Sequence, residues 1–191
     1  MAKRSDKRER LISAAKELFY KQGFNNTTIA DIAKLADVPL GNVYYYFKTK
    51  DEICAAVIKE RSVDINNLIT ELNAINSAEE RLFAIINHYQ GNAEQIAKYG
   101  NIFSSLVQEL SRQSSPLVSN ASEILIALTS WLTSQFTSLS SENNAQDLAL
   151  RFLSNLEGMQ VLALSFQDAS IIAKQSQILK SEIKDLISAT A

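Results

Sequence analysis

Residues 28–53 read TIADIAKLADVPLGNVYYYFKTKDEI, and the fold is decided in this stretch. Thr28 can accept hydrogen bonds from the first amides of a helix opening at Ile29. Asp31, in the first turn, suits the positive end of the helix dipole. The helix runs to Leu35. Ala36, Asp37 and Val38 are too few for a loop and read as a tight turn. Pro39, with its φ already fixed near the helical value, opens a second helix to about Phe47. Two short helices crossing at roughly 90–120° over such a turn form a helix-turn-helix. The spacing supplies what the crossing needs: Ile32 and Val43 can face the core, Ala33 is small where the second helix passes, and Val38 plugs the turn. One turn residue must adopt φ > 0, and Asp37 is among the residue types that tolerate it.

Upstream, Arg8 to Gln22 carries apolar residues at Leu11, Ala15, Leu18 and Phe19, with Ile12 and Ala14 beside them. That spacing is the stripe of an amphipathic helix, and Gly23 stands where a left-handed cap is wanted. A three-helix head therefore closes around the turn.

The second helix of the motif turns Leu40, Gly41, Asn42, Tyr44 and Tyr45 outward. Gly41 lets the backbone approach a groove. Asn42 can read a base edge, most naturally adenine in a bidentate pair. Tyrosine hydroxyls, Lys48, Lys50 and the amides that follow Thr28 are donors suited to phosphate oxygens. A core role is the alternative for these aromatics. It fits Phe47, stays open for Tyr46, and would waste two hydroxyls at Tyr44 and Tyr45. The charge layout agrees with a nucleic-acid reading: residues 1–61 hold twelve Lys/Arg against eight Asp/Glu, while the whole chain has a net charge of −2. A basic third on an acidic chain is the expected footprint of a small DNA-binding head.

Beyond the motif, Thr49 caps a long helix from about Lys50 to Ala74, roughly 35 Å at ~1.5 Å per residue. Ser77 to Glu80 forms a capping box for a helix to about Lys98, and Gly100-Asn101 ends it. Further helices are expected over Ile102–Arg112, Pro116–Leu139, Ala145–Phe166 and Ser170–Ser188. Only five Gly and two Pro in 191 residues leave few of the turns that sheets require. The expected fold is all-α, with about nine helices: three small, one connecting, five in a bundle.

At this point residues 8–55 resemble the N-terminal domain of the TetR/AcrR family of regulators. The resemblance rests on the helix from Arg10 to Phe19, on Gly23-Phe24, on Thr28 to Ala33, and on Val43 to Ile53. It implies a homodimeric regulator, in most members a repressor, that leaves a palindromic operator when a small molecule enters the C-terminal domain. It implies a DNA-binding domain over 1–49, and over 50–191 a connecting helix with a ligand-binding and dimerisation bundle. Phosphate contacts fall by resemblance on Thr28, Tyr44, Tyr46, Lys48 and Lys50. Base-facing roles fall on Leu40, Gly41, Asn42 and Tyr45. Two departures stand out: Asp37 replaces the usual turn glycine, and Tyr45 replaces a common histidine.

For the body, residue chemistry nominates His88, Tyr89, Phe103, Trp131 and Phe152 as pocket residues, because pockets are mostly apolar with a few placed polar groups. Packing into the core is the plainer alternative for each. Leu156, Gly158, Met159, Ile178 and Leu179, on the last two helices, are nominated for the dimer interface. Twofold symmetry would match a palindromic site. Cys54 lies on an apolar helix face and reads as a packing residue rather than a redox sensor.

An enzyme is the rival class. One histidine and one cysteine cannot supply the usual metal cluster. No Gly-rich phosphate loop or nucleophile elbow occurs, so neither catalysis nor a cofactor is expected. A helical binding protein without DNA contact is the other rival, and Lys48, Lys50 and the tyrosines weigh against it. The charged N-terminus has no signal-like apolar segment, and the expected location is the cytoplasm.

Overall fold

A computed structural model describes the backbone of residues 2–139 and 144–190, and their side chains except those of 2–5, 102, 103 and 190. Among the described residues every regular element is an α-helix. The motif region holds α1 (Ala2–Gln22), α2 (Ile29–Leu35) and α3 (Leu40–Tyr46), followed by the long α4 (Lys50–Asn73). Then come α5 (Ala78–Gly91), α6 (Ala93–Tyr99), α7 (Ile102–Arg112), α8 (Val118–Leu139), α9 (Ala145–Phe166) and α10 (Ser170–Thr190).

Two differences from expectation have local causes. The helix α1 starts before its apolar stripe, because the Lys, Arg and Glu residues that precede it are strong helix formers. The stretch expected as one helix to Lys98 is two, which brings the segments to ten. Gly91 and Asn92 are weak helix formers, and Asn92 leaves the helical region at φ −106, ψ 12. Its Nδ2 donates to the His88 carbonyl at 2.7 Å, which offers the backbone an alternative to the helical ladder.

The chain packs as two compact units, Met1–Asp64 with Ile102–Ile124, and Ile65–Asn101 with Leu125–Ala191. The division falls inside α4 and inside α8. In the first unit, Leu11, Ile12, Ala15 and Phe19 of α1 are buried with Ile32, Ala33 and Val43 of the motif. Val38 is buried in the turn, and Ile53, Cys54, Val57 and Ile58 extend the core along α4. The sequence order had put Ile102–Arg112 in the bundle. It belongs instead to the first unit, where α7 packs on α1 and buries Leu106 and Leu110, one turn apart.

The second unit is a bundle in which α10 lies against α5, α6 and α9, and α6 lies against α9. Leu82, Ile85, Ile86, Leu132, Leu156 and Ile172 are wholly enclosed in its core. Its α4–α5 corner is held by Arg81, whose Nε donates to the Ile75 carbonyl at 2.8 Å and whose Nη2 donates to that of Asn73 at 3.2 Å. Trp131 Nε1 donates to Asn73 Oδ1 of the same corner at 2.9 Å. Backbone groups left over at a helix end are thus taken by side chains.

Ile32 is fully enclosed, whereas Leu35, three residues on, is 46% exposed. Ile32→Ala should therefore lower the unfolding free energy by ~2–5 kcal/mol. Leu35→Ala should change it by less than about 1 kcal/mol. Denaturant unfolding of the two variants tests this, and equal losses would place the crossing elsewhere.

Candidate nucleic-acid interface

The reading surface is built from the turn outward. Asp37 adopts φ 49, in the left-handed region the turn was expected to need. Arg10 of α1 braces it: Nη2 donates to the carbonyls of Ala36 and Asp37, the latter at 2.7 Å, and lies 3.1 Å from Asp37 Oδ2. The cation thus takes the carbonyls that the turn strips from the helix ladder and pairs with the side chain that stands in for glycine. Thr28 caps α2, accepting from the Asp31 N–H at 3.1 Å, while the Asp31 carboxylate accepts from the Thr28 N–H at 2.9 Å. The Thr28 hydroxyl also donates to Asp31 at 2.6 Å. Those hydrogen bonds hold the Asp31 carboxyl below its ordinary range.

On α3 only Val43 is buried. Leu40, Gly41, Asn42, Tyr44 and Tyr45 are exposed together, with Tyr45 at 62%. A Cβ at Gly41 would meet nothing within 4 Å, so the helix is open on that side. Tyr46 is half-buried with its ring edge-on to that of Tyr45 at 5.4 Å, and Phe47 is core, stacked under Arg8 at 5.2 Å. Thr28 and Lys48 are exposed, the Lys48 ammonium donating to the Tyr44 carbonyl at 2.5 Å.

Lys50 differs from the others. Its Nζ donates to the carbonyls of Phe24 at 2.8 Å and Thr27 at 3.0 Å, and lies 4.2 Å from the centre of the Phe24 ring. Two of its three protons are committed to the loop between α1 and α2. The same loop is held from α7, where Glu109 Oε2 accepts from the Asn25 N–H at 2.8 Å and Gln113 Nε2 donates to Asn25 Oδ1. Sequence reasoning missed Arg10, Glu109 and Gln113 as supports of this surface. Arg10 lies within the quoted motif residues, but nothing local marks Glu109, 84 residues from its partner.

Cys54 is fully enclosed, and burial pushes its thiol up to about 12, with Asp51 adding to the effect and Lys50 opposing it. It remains a protonated packing group at neutral pH.

Four of the residues nominated for a pocket have described side chains. His88 is exposed and lies edge-on to the half-buried Tyr89 at 5.9 Å. Burial, with Glu157 nearby, pushes the Tyr89 hydroxyl above its usual range. Trp131 is committed to the α4–α5 corner, and the Phe103 side chain lies outside the described residues. Phe152 lines a cavity of about 90 Å³, shared with Phe136, Leu179, Arg151 and Glu182. Pockets for drug-sized ligands run to roughly 300–1,000 Å³, so this one holds only a few small atoms.

The nominated interface residues divide. Leu156, Met159 and Leu179 are buried in the protomer's own core and cannot touch a partner, a correction with a simple cause. The more continuous apolar side of α9 is the one that packs inward. Its outward face carries Leu150, Val161 and Leu162, with Gly158 among them and Phe166 at 68% exposure near the end. A Cβ at Gly158 would meet nothing within 4 Å. Ile178 of α10 is exposed as well.

Residues 11–57 match the family model described as bacterial regulatory proteins, tetR family. The transcriptional repressor NemR of Escherichia coli K12 is 28% identical over 108 residues, 56% of this chain and 54% of its own length. The match thus spans about half of that relative. The uncharacterized regulator TtgW of Pseudomonas putida is 30% identical over 126 residues, 58% of this chain and 91% of its own. Among solved structures, a TetR transcriptional regulator from Chloroflexus aurantiacus superposes with a TM-score of 0.86 at 19% identity, covering 96% of this chain and 97% of the other. No described helix is long and apolar enough to cross a membrane.

The Arg10 brace generates a prediction of its own. Arg10→Ala leaves the Ala36 and Asp37 carbonyls without their cation and should lower the unfolding free energy by about 1–2 kcal/mol. Arg10→Lys, which keeps one donor, should recover part of the loss. Thermal unfolding reads both, and an unchanged midpoint in Arg10→Ala would show that the turn holds itself.

Proposed function

Because the chain belongs to the TetR family of bacterial regulatory proteins, we propose that it is a ligand-responsive regulator of transcription. In this reading it holds a palindromic operator as a homodimer and releases it, as a repressor does, when a small molecule binds its helical body. The observation that carries the reading is the outward face of α3. Five adjacent side chains or backbone positions, Leu40 to Asn42 with Tyr44 and Tyr45, stand exposed on a helix fixed by Val43 and by a braced turn. A helix held rigidly and left bare on one side fits the major groove, whose width admits one helix.

The roles follow from chemistry. Asn42 and Tyr45 face bases, while Gly41 and Leu40 allow close approach. Thr28, Tyr44, Tyr46 and Lys48 supply donors for phosphates on either side. Lys50 supports its loop first, with one ammonium proton left for a phosphate. The working division is a DNA-binding part over 1–49 and a sensing and dimerising part over 50–191. Such a regulator acts in the cytoplasm, where the DNA is, and needs no catalytic step.

Selection of duplexes from a random pool should recover a palindrome, with affinity falling steeply as salt rises. Tyr45→Ala should weaken binding by about tenfold and relax the preferred sequence, since a base contact is worth ~1–3 kcal/mol. Lys48→Ala should weaken all sequences alike and reduce the salt slope by about one. If both variants bind as the parent does in a mobility-shift assay, α3 is not the reading helix.

Pairing is assigned to the outward face of α9 with Ile178. Gly158→Trp fits within the protomer, because the site is open. It should nevertheless give monomers by light scattering, since the bulk would lie on the facing helix of the partner. A variant that stays dimeric would move the interface to another surface.

A further inference from the structure

We propose that Glu109 of α7 is a positioning residue for DNA binding: its carboxylate and the Lys50 ammonium of α4 hold residues 23–27 from two different helices and so fix where Thr28 and α2 are presented. The proposal rests on the DNA-reading assignment above and adds a residue that touches no nucleic acid.

Six residues, 23–28, join α1 to α2, and each has at least one polar group held. Thr27 Oγ1 donates to the Gly23 carbonyl at 2.7 Å. Gln22 and Asn26 exchange side-chain to backbone bonds at 3.1 and 3.0 Å. Lys50 takes the Phe24 and Thr27 carbonyls. Glu109 takes the Asn25 amide at 2.8 Å, and Gln113 takes its side-chain oxygen. The cation thus serves carbonyls and the anion serves an amide, each with the charge its partner dipole requires. Thr28 follows immediately, so tension on the loop becomes displacement of the α2 cap.

Two physical costs make this carboxylate informative. It lies against the C-terminal end of α1, where the helix dipole disfavours negative charge. A Cβ placed on Gly23, which caps that helix at φ 84, would come within 2.8 Å of Glu109 Oε1. Glycine at 23 is favoured by its positive φ, and any side chain there would also have to displace the carboxylate. The second cost is electrostatic: an added negative charge in a DNA-binding head lowers its attraction for phosphate. Were charge its only effect, removing Glu109 would tighten binding. A positioning role gives the opposite sign.

The test uses the full chain and a duplex that the parent protein selects from a random pool. Glu109→Ala should bind it about tenfold more weakly, the scale set by losing one charge-assisted hydrogen bond. Glu109→Gln keeps a carbonyl oxygen for the Asn25 N–H and should stay within about threefold of the parent. Amide hydrogen exchange on the DNA-free proteins adds a readout that charge alone would not move. Asn25 should lose protection in Glu109→Ala and retain it in Glu109→Gln. Equal or tighter binding by both variants would overturn the proposal, as would undiminished protection of Asn25 in Glu109→Ala. A loss of affinity that vanishes when expressed per folded molecule would reduce Glu109 to a stability residue and overturn it too. Failure of the parent itself to select any duplex would instead overturn the DNA-reading assignment, and the parent alone reveals that.

Discussion

A turn short enough to let two helices cross closely cannot return its carbonyls to a helical ladder, and each one left unbonded inside a protein costs ~1–3 kcal/mol. In the reading head this constraint is met by two cations. Arg10 of α1 serves the α2–α3 turn at Ala36 and Asp37, and Lys50 of α4 serves the α1–α2 loop at Phe24 and Thr27. Each cation comes from a helix outside the segment it satisfies. The two long helices therefore fix the two short connections, and the placement of α3 depends on both. The apolar contacts of Ile32, Val38 and Val43 supply cohesion, but they would permit rotation about the crossing that the directional bonds do not.

This use of cations changes the meaning of the charge pattern. The excess of Lys and Arg in the first third reads as attraction for phosphate, yet several of those charges have partners within the protein. Lys16 and Arg61 flank Asp64 at 2.5 and 3.8 Å, and Lys21 lies 2.6 Å from Glu17. Lys50 is engaged with its loop. Lys34 and Lys48 are among those left exposed beside α2 and α3. Local structure therefore limits which of these cations can reach a phosphate, although each keeps its charge.

What was legible in the sequence is what spacing alone controls. The crossing residues, the positive φ at Asp37, the Thr28 cap and the break at Gly100 all follow from residues within a few positions of one another. Membership of α7 in the head was not legible, because Glu109 meets its loop across most of a hundred residues and looks like any solvated glutamate. The exposed apolar residues of α9 were obscured for a different reason. Periodicity reveals the stripe of Ala149, Phe152, Leu156 and Met159, but Leu150, Val161 and Leu162 are scattered among Arg151, Ser154 and Glu157, and spacing does not say whether they too are covered. Only packing resolves that choice.

Those exposed residues also bear on how the head can be specific. A seven-residue helix such as α3 spans roughly 10 Å and reaches three or four base edges. At ~1–3 kcal/mol per base pair, mid-range values give about 6–8 kcal/mol. That is no more than the ~8 kcal/mol needed to outweigh a million competing sites. A single head is therefore marginal as a regulator, and two joined as proposed above would not be, because the second half-site is met at high effective concentration. The exposed leucines and valine of α9 cost solubility in a monomer. Under the pairing proposed above, that cost is offset, because two weak readings would act as one strong one.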